Sequence, residues 1–140
     1  MQKILIIGGS GLVGSTLVKY MKKDFDIHIT YNKNPVDFQN IYATKIDLMK
    51  NSTEILNLIK KWKPEIVIHT VAHSSVDLCE TDHNVADYLH VKITKDISII
   101  CKKINSKLIY FSTDAVFPGE LGKKYTEKDI PDPINYYGKT

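Results

Sequence analysis

One stretch near the start of the chain limits what it can fold into. Lys3-Ile4-Leu5-Ile6-Ile7 is a short apolar, largely β-branched run, and Gly8-Gly9-Ser10-Gly11-Leu12-Val13-Gly14 follows at once. An apolar helical pattern then opens at Leu12, with Val13, Leu17, Val18 and Met21 on one face. The order is buried parallel strand, tight turn, helix N-terminus. Two dinucleotide fingerprints overlap in it. Gly9, Gly11 and Gly14 read G-x-G-x-x-G, and Gly8, Gly11 and Gly14 read G-x-x-G-x-x-G. The first glycine turns the chain off the strand, Gly11 leaves room for a pyrophosphate against the main chain, and Gly14 lets the helix lie close on the strand. Free N–H groups at the helix start and the helix dipole attract phosphate. The strand-turn-helix context is what gives such glycines their meaning.

The rest of the chain repeats the alternation. Ile27 to Tyr31 reads as a second strand, broken at Asn34-Pro35, and Ile41 to Ile46 as a third, closed by Asp47-Leu48. Asn51 or Ser52 can cap a helix carrying Ile55, Leu58, Ile59 and Trp62, which stops before Pro64. Ile66 to Thr70 is a fourth strand, followed by a loop with Ser74, Ser75 and Asp77. The longest helix is expected from about Asp82 to Lys103, on the stripe Val85, Leu89, Ile93, Ile97, Cys101 and Ile104. Leu108 to Phe111 is a fifth strand, ending in Ser112-Thr113-Asp114. Strands alternating with helices predict an α/β doubly wound parallel sheet of Rossmann type. Its strand order should be 3-2-1-4-5, with helices on both faces and the ligand where the order reverses. Residues 1–140 read as one NAD(P)-binding domain. Residues 115 to 135, with three prolines and two glycines, read as a long loop.

Composition excludes several classes. No window is apolar enough to span a bilayer, and the N-terminal apolar run is too short for a signal peptide, so the location expected is cytoplasmic. The net charge is +3, yet all 19 basic residues are lysines, scattered singly and in pairs. That is the pattern of solvated faces and does not suggest nucleic-acid binding. Without arginine, backbone amides must carry more of any phosphate recognition. Cys79 and Cys101 form no C-x-x-C pair and read as reduced, buried thiols. His69 and His73 have the spacing of a metal pair, but four residues of strand span about 13 Å, so no metal site is expected.

An Asp or Glu at the end of the second strand would hold the ribose hydroxyls of NAD. Thr30-Tyr31-Asn32-Lys33 stands there instead. Lys33 could meet a 2′-phosphate, which favours NADP weakly, or could be a solvated loop lysine.

Further motifs add to the glycine stretch: Val76-Asp77-Leu78-Cys79-Glu80, Ser112-Thr113-Asp114-Ala115-Val116-Phe117 and Pro133-Ile134-Asn135-Tyr136-Tyr137-Gly138-Lys139-Thr140. With them the whole chain resembles the extended short-chain dehydrogenases/reductases, and among these the dTDP-4-dehydrorhamnose reductases. The resemblance implies an NAD(P)-dependent reductase of a nucleotide-activated 4-keto sugar, with a homodimer possible. The residues it places at the cofactor are Gly8, Gly11, Leu12, Val13, Gly14, Asn32, Lys33, Asp47, Leu48, Val71, Ala72 and His73. It implies that Tyr137 donates a proton to the sugar carbonyl and that Thr113 hydrogen-bonds that carbonyl. In the family a Lys four residues after the Tyr lowers its pKa, and that position falls just past Thr140. Lys139 stands about 200° round the helix from Tyr137 and should lie on its far face. The chain therefore reads as the N-terminal part of a longer protein, inactive by itself. The family has Asn where His90 stands and Gly where Ile93 stands, and His69-Thr70-Val71-Ala72 replaces Asn-Ala-Ala-Ala. Two other functions share these motifs: a non-catalytic NAD(P)-binding regulatory subunit like that of methionine adenosyltransferase, and a sugar-nucleotide epimerase or dehydratase. Ser112 and Thr113 could also serve only to end the strand, and Asp77, Glu80 and Asp82 only to favour the long helix.

Overall fold

A computed structural model describes residues 1–140 in full. Five parallel strands, β1 (Lys3–Ile7), β2 (Asp26–Tyr31), β3 (Tyr42–Lys45), β4 (Ile66–His69) and β5 (Lys107–Tyr110), form one sheet in the order β3-β2-β1-β4-β5. That is the expected topology. The order reverses between β1 and β4, so the carboxyl ends of these two strands flank a crevice.

Alternation along the strands divides the core in two. Leu5, Ile7 and Val67 face α2 (Ser52–Trp62) and α5 (Ile93–Lys103), packing with Ile55, Ile59, Ile93 and Ile97. Ile4, Ile6, Ile27, Ile29 and Ile68 face the other way and pack with Val18 of α1 (Leu12–Met21). Burial on both faces explains why β1 and β4 are continuous apolar runs. Asn51 begins α2 with its side chain tied to Glu54, and Lys63 ends it in a left-handed turn before Pro64. Cys79 and Cys101 are both buried and unpaired.

Two expectations need correction. The segment after β4 is not all loop: Ser75 caps a short helix, α3 (Val76–Thr81), by accepting a bond from the Leu78 amide, so Asp77 lies in its first turn. The long helix is also not uniform. Asp82 caps α4 (His83–Ala86), a π-helical segment covers Asp87–Lys92, and regular α-helix resumes as α5. The apolar stripe runs through the wide turn, so periodicity alone could not reveal it. The chain then passes through β5, whose outer edge is unpaired and whose neighbour Phe111 is 49% exposed. A short 3-10 turn at Asp114–Val116 leads into the long loop, which is braced by Phe117 stacking on Tyr125 at 4.6 Å. The final helix is α6 (Tyr136–Lys139), capped by the Asn135 side chain accepting from the Gly138 amide.

His69, at the end of β4, is wholly buried, and neither ring nitrogen has a hydrogen-bond partner. Its ring lies 5.4 Å from that of Tyr110, its register partner on β5. Burial, aided by the nearby His90, lowers its pKa to about 4. A histidine that resists protonation when folded binds fewer protons than the unfolded chain below pH 6.5. Its contribution is therefore intact above pH 6.5 and is lost as pH falls toward 4. The loss is about 2 kcal/mol by pH 5. His69→Leu removes this term, so urea titrations at pH 7 and pH 5 should show a smaller acid loss in the variant than in the parent chain.

Candidate functional site

The site begins with backbone. Gly8 follows β1 with φ +87°, a left-handed conformation that side chains disfavour. A Cβ on Gly8 would also stand 2.7 Å from the Val71 side chain. A Cβ on Gly9 would come to 2.5 Å from that of Ile29. The glycine that opens each of the two overlapping fingerprints is thus sterically required. A Cβ on Gly14 would collide with the Gly8 carbonyl oxygen at 2.3 Å, so this glycine lets α1 rest directly on the turn. Gly11 differs, because a Cβ there would meet only the Gly8 oxygen, at 3.3 Å. Nothing in the chain itself fills the space beside it. Gly11 is the N-cap of α1 and supplies no side-chain cap. The first intrahelical bond runs from Ser15 to Gly11, which leaves the amides of Leu12, Val13 and Gly14 free.

In front of this turn lies a cleft of about 290 Å³. Gly8, Ser10 and Gly11 form one wall, Thr30, Tyr31 and Asn32 a second, and Asp47, Leu48 and Met49 a third. Thr70, Val71, Ala72 and Leu89 close it. The Thr30 hydroxyl accepts from the Gly8 amide at 3.3 Å, and the Thr70 hydroxyl donates to the Ile7 carbonyl at 2.8 Å. Side chains from β2 and β4 thus pin the turn from both sides. Of the residues expected at a cofactor, Gly8, Gly11, Asn32, Asp47, Leu48, Val71 and Ala72 border this cleft. The side chains of Leu12 and Val13 are exposed, so only their amides are on offer. Gly14 is buried behind the turn, while Lys33 and His73 stand outside the lining. Ser10, Thr30 and Tyr31 also line it; the fingerprint names only glycines and so is blind to them.

A second cavity of about 170 Å³ adjoins the first, and Ala72 borders both. It brings together Thr113, Tyr137 and His90 with Tyr110 and Phe111. Thr113 also serves its own backbone: its hydroxyl accepts from the Ala115 amide at 3.1 Å. Gly138, Lys139 and Thr140 border this cavity as well. A Cβ on Gly138 would come within 2.2 Å of the Ala115 oxygen, so α6 seats against the 3-10 turn only with glycine there.

Tyr136 anchors α6 from the other side. Its ring stacks on His83 at 3.6 Å, and its hydroxyl donates to both Asp87 oxygens at 2.9 Å. The Glu80 carboxylate accepts from its backbone amide. Glu80 is therefore more than part of a solvated acidic cluster, while Asp82 does cap a helix, through the Val85 amide.

The sheet order, the glycine turn and the cleft at the switch point define the class: a Rossmann-type α/β domain of the extended short-chain dehydrogenase/reductase kind. The chain belongs to the family of the RmlD substrate binding domain, whose model matches residues 1–140. It is 29% identical over its whole length to a dTDP-4-dehydrorhamnose reductase of Aggregatibacter actinomycetemcomitans, covering 44% of that protein. It is 28% identical to the methionine adenosyltransferase 2 subunit beta of mouse, over 99% of this chain and 40% of that one. The crystal structure of a hypothetical dTDP-4-dehydrorhamnose reductase from Sulfolobus tokodaii superposes with a TM-score of 0.86 at 34% identity, over 99% of this chain and 48% of that one. A UDP-glucose 4-epimerase of Thermus thermophilus in complex with NAD shares the fold at 20% identity, with a TM-score of 0.85 over 99% of this chain and 47% of that one. The chain thus spans less than half the length of each of these relatives.

The glycines generate a graded expectation. Gly14→Ala forces α1 off the turn and should lower stability by about 2 kcal/mol or more. Gly11→Ala meets only the Gly8 carbonyl oxygen, at a tight 3.3 Å that a shift of a few tenths of an ångström relieves, and should cost less. Urea midpoints of the two variants, measured side by side, check the order.

Proposed function

We propose that this chain is the dinucleotide-binding part of an NAD(P)-dependent reductase of nucleotide-activated 4-keto sugars. The observation that carries the reading is the adjacency of the two cavities across Ala72. One has a glycine turn and free helix amides suited to a pyrophosphate. The other holds a tyrosine and a threonine hydroxyl, groups suited to a carbonyl oxygen. In this reading the pyrophosphate lies against Gly11 and the amides of Leu12, Val13 and Gly14. The adenosine lies by Asn32, Asp47 and Leu48, and the nicotinamide side by Val71, Ala72 and His73. The bound cofactor supplies hydride. Tyr137 gives a proton to the carbonyl oxygen, and Thr113 orients that oxygen. The relatives named as dTDP-4-dehydrorhamnose reductases support this substrate class.

NADP is the favoured cofactor. The cleft wall after β2 presents Tyr31 and Asn32 and no carboxylate; the carboxylate bordering the cleft, Asp47, stands on the third wall. Lys33 is exposed just beyond Asn32 and can swing toward a 2′-phosphate.

A second reading rests on its own observation. The methionine adenosyltransferase 2 subunit beta relative matches as much of this chain as the reductase does. A regulatory subunit would keep the first cavity and need no chemistry in the second.

Gly11→Val places a side chain where the pyrophosphate would lie. It should abolish NADPH binding, measured by fluorescence titration, while circular dichroism stays unchanged. Lys33→Ala should weaken NADPH but not NADH, and more strongly at low salt, where screening is weak. Hydride transfer from NADPH to a dTDP-4-keto sugar by the protein containing this domain separates the two readings: the reductase shows it and loses it in Tyr137→Phe, whereas a regulatory subunit binds NADPH without turnover.

A further inference from the structure

His90 lies on the π-helical segment, 3% exposed, and borders the second cavity. Both of its ring nitrogens are engaged, each by a different part of the site. Nε2 lies 2.8 Å from the backbone nitrogen of His73, in the loop that follows the first cavity's wall. That nitrogen carries a hydrogen and can only donate, so Nε2 must be bare. A neutral imidazole then carries its hydrogen on Nδ1. Nδ1 lies 2.8 Å from the hydroxyl oxygen of Thr140 and therefore donates to it. The Thr140 hydroxyl in turn reaches the carbonyl oxygens of Tyr136 and Tyr137, at 3.2 and 3.3 Å. The ring of Tyr137 stands edge-on to that of His90 at 5.7 Å.

We propose that His90 is a positioning residue that ties the helix carrying Tyr137 to the cofactor-side loop, through a fixed Nδ1–H tautomer. It rests on the role given to Tyr137 above. The bridge acts on the first turn of α6, where backbone amides lack intrahelical partners and tertiary contacts fix the geometry. The Tyr136 clasp fixes the start of α6 from the outside. His90 fixes its inner face at the level of the cavity. The π-helical segment contributes by setting its residues on a wider turn than the α-helix it interrupts. Burial and the neighbouring His73 lower the pKa of His90, which keeps Nε2 free to accept.

The test uses the protein containing this domain, with no nucleotide or sugar present, so its outcome is independent of the reductase assignment. Long-range 15N–1H correlation of the imidazole at neutral pH should show His90 with a protonated Nδ1 and a bare Nε2; the opposite tautomer overturns the proposal. Amide exchange of Lys139 and Thr140, read by NMR, should accelerate about tenfold in His90→Phe, which keeps a ring but loses both bonds. His90→Gln should restore slow exchange. Its side-chain amide offers an oxygen to accept from His73 and an NH₂ to donate to Thr140. Thr140→Val, far from the core, should accelerate Lys139 exchange as His90→Phe does. If His90→Phe fails to fold, the tautomer and the Gln and Val variants still decide. Unchanged exchange in Thr140→Val, or exchange in His90→Gln as fast as in a folded His90→Phe, overturns the proposal.

Discussion

The close approach of α1 to the turn after β1 is the constraint on which the site depends. The helix can rest on the Gly8 carbonyl only because position 14 has no Cβ; one methyl would sit 2.3 Å from that oxygen. With the helix so placed, its free amides open in front of the carboxyl end of β1. The Thr30 and Thr70 hydroxyls then hold the turn from β2 and β4. The cleft is thus a product of backbone packing, with side chains acting as struts. This suits a chain with no arginine, in which fixed N–H groups must do what a guanidinium would otherwise do.

Most of the fold was legible because it rests on local rules. β1 and β4 are apolar runs because they are buried on both faces, and the glycines mark the first turn by simple sterics. Strand order followed from right-handed crossovers and was observed as expected. What stayed hidden depends on long-range polar contacts or on backbone detail without a composition signal. The π-helical segment lies within a sequence stripe of Val85, Leu89 and Ile93, so periodicity reads straight through it, although the residues buried between Val85 and Ile93 are Ala86 and His90. The clasp of Tyr136 on Glu80, His83 and Asp87 joins residues about fifty positions apart, each of which alone looks like an ordinary surface group. At the site, the glycines and the two hydroxyl groups could be named from motifs. Ser10, Tyr31 and the bridging geometry of His90 could not, because the fingerprint specifies where the backbone must be bare and says nothing of what stands around it.

The buried histidines show how differently one residue type can be used. His69 is enclosed with both nitrogens unpaired, and what it contributes is mainly volume beside Tyr110. Enclosing it has a cost that grows in acid. His90, near enough to help lower the pKa of His69, is almost as buried but has both nitrogens satisfied by groups of opposite character. An unpaired buried nitrogen carries a desolvation cost with no return, whereas a paired one fixes a tautomer and hence a direction. The same chemistry is therefore a liability on β4 and a brace on the neighbouring helix.

The two adjacent tyrosines divide their roles by the same logic. Tyr136 is the residue the chain ties down: its hydroxyl is bound to the Asp87 carboxylate, which raises its pKa, and its ring is stacked on His83. A phenol hydrogen-bonded to a carboxylate is held in its protonated form and already has its proton committed. It is a poor proton donor to anything else. Successive residues on a helix point about 100° apart, so fixing Tyr136 against α3 and α4 turns Tyr137 away from them. It faces the cavity that also holds Thr113 and His90. The anchoring tyrosine thereby determines the direction of its neighbour, and of the two phenols only Tyr137 borders the second cavity.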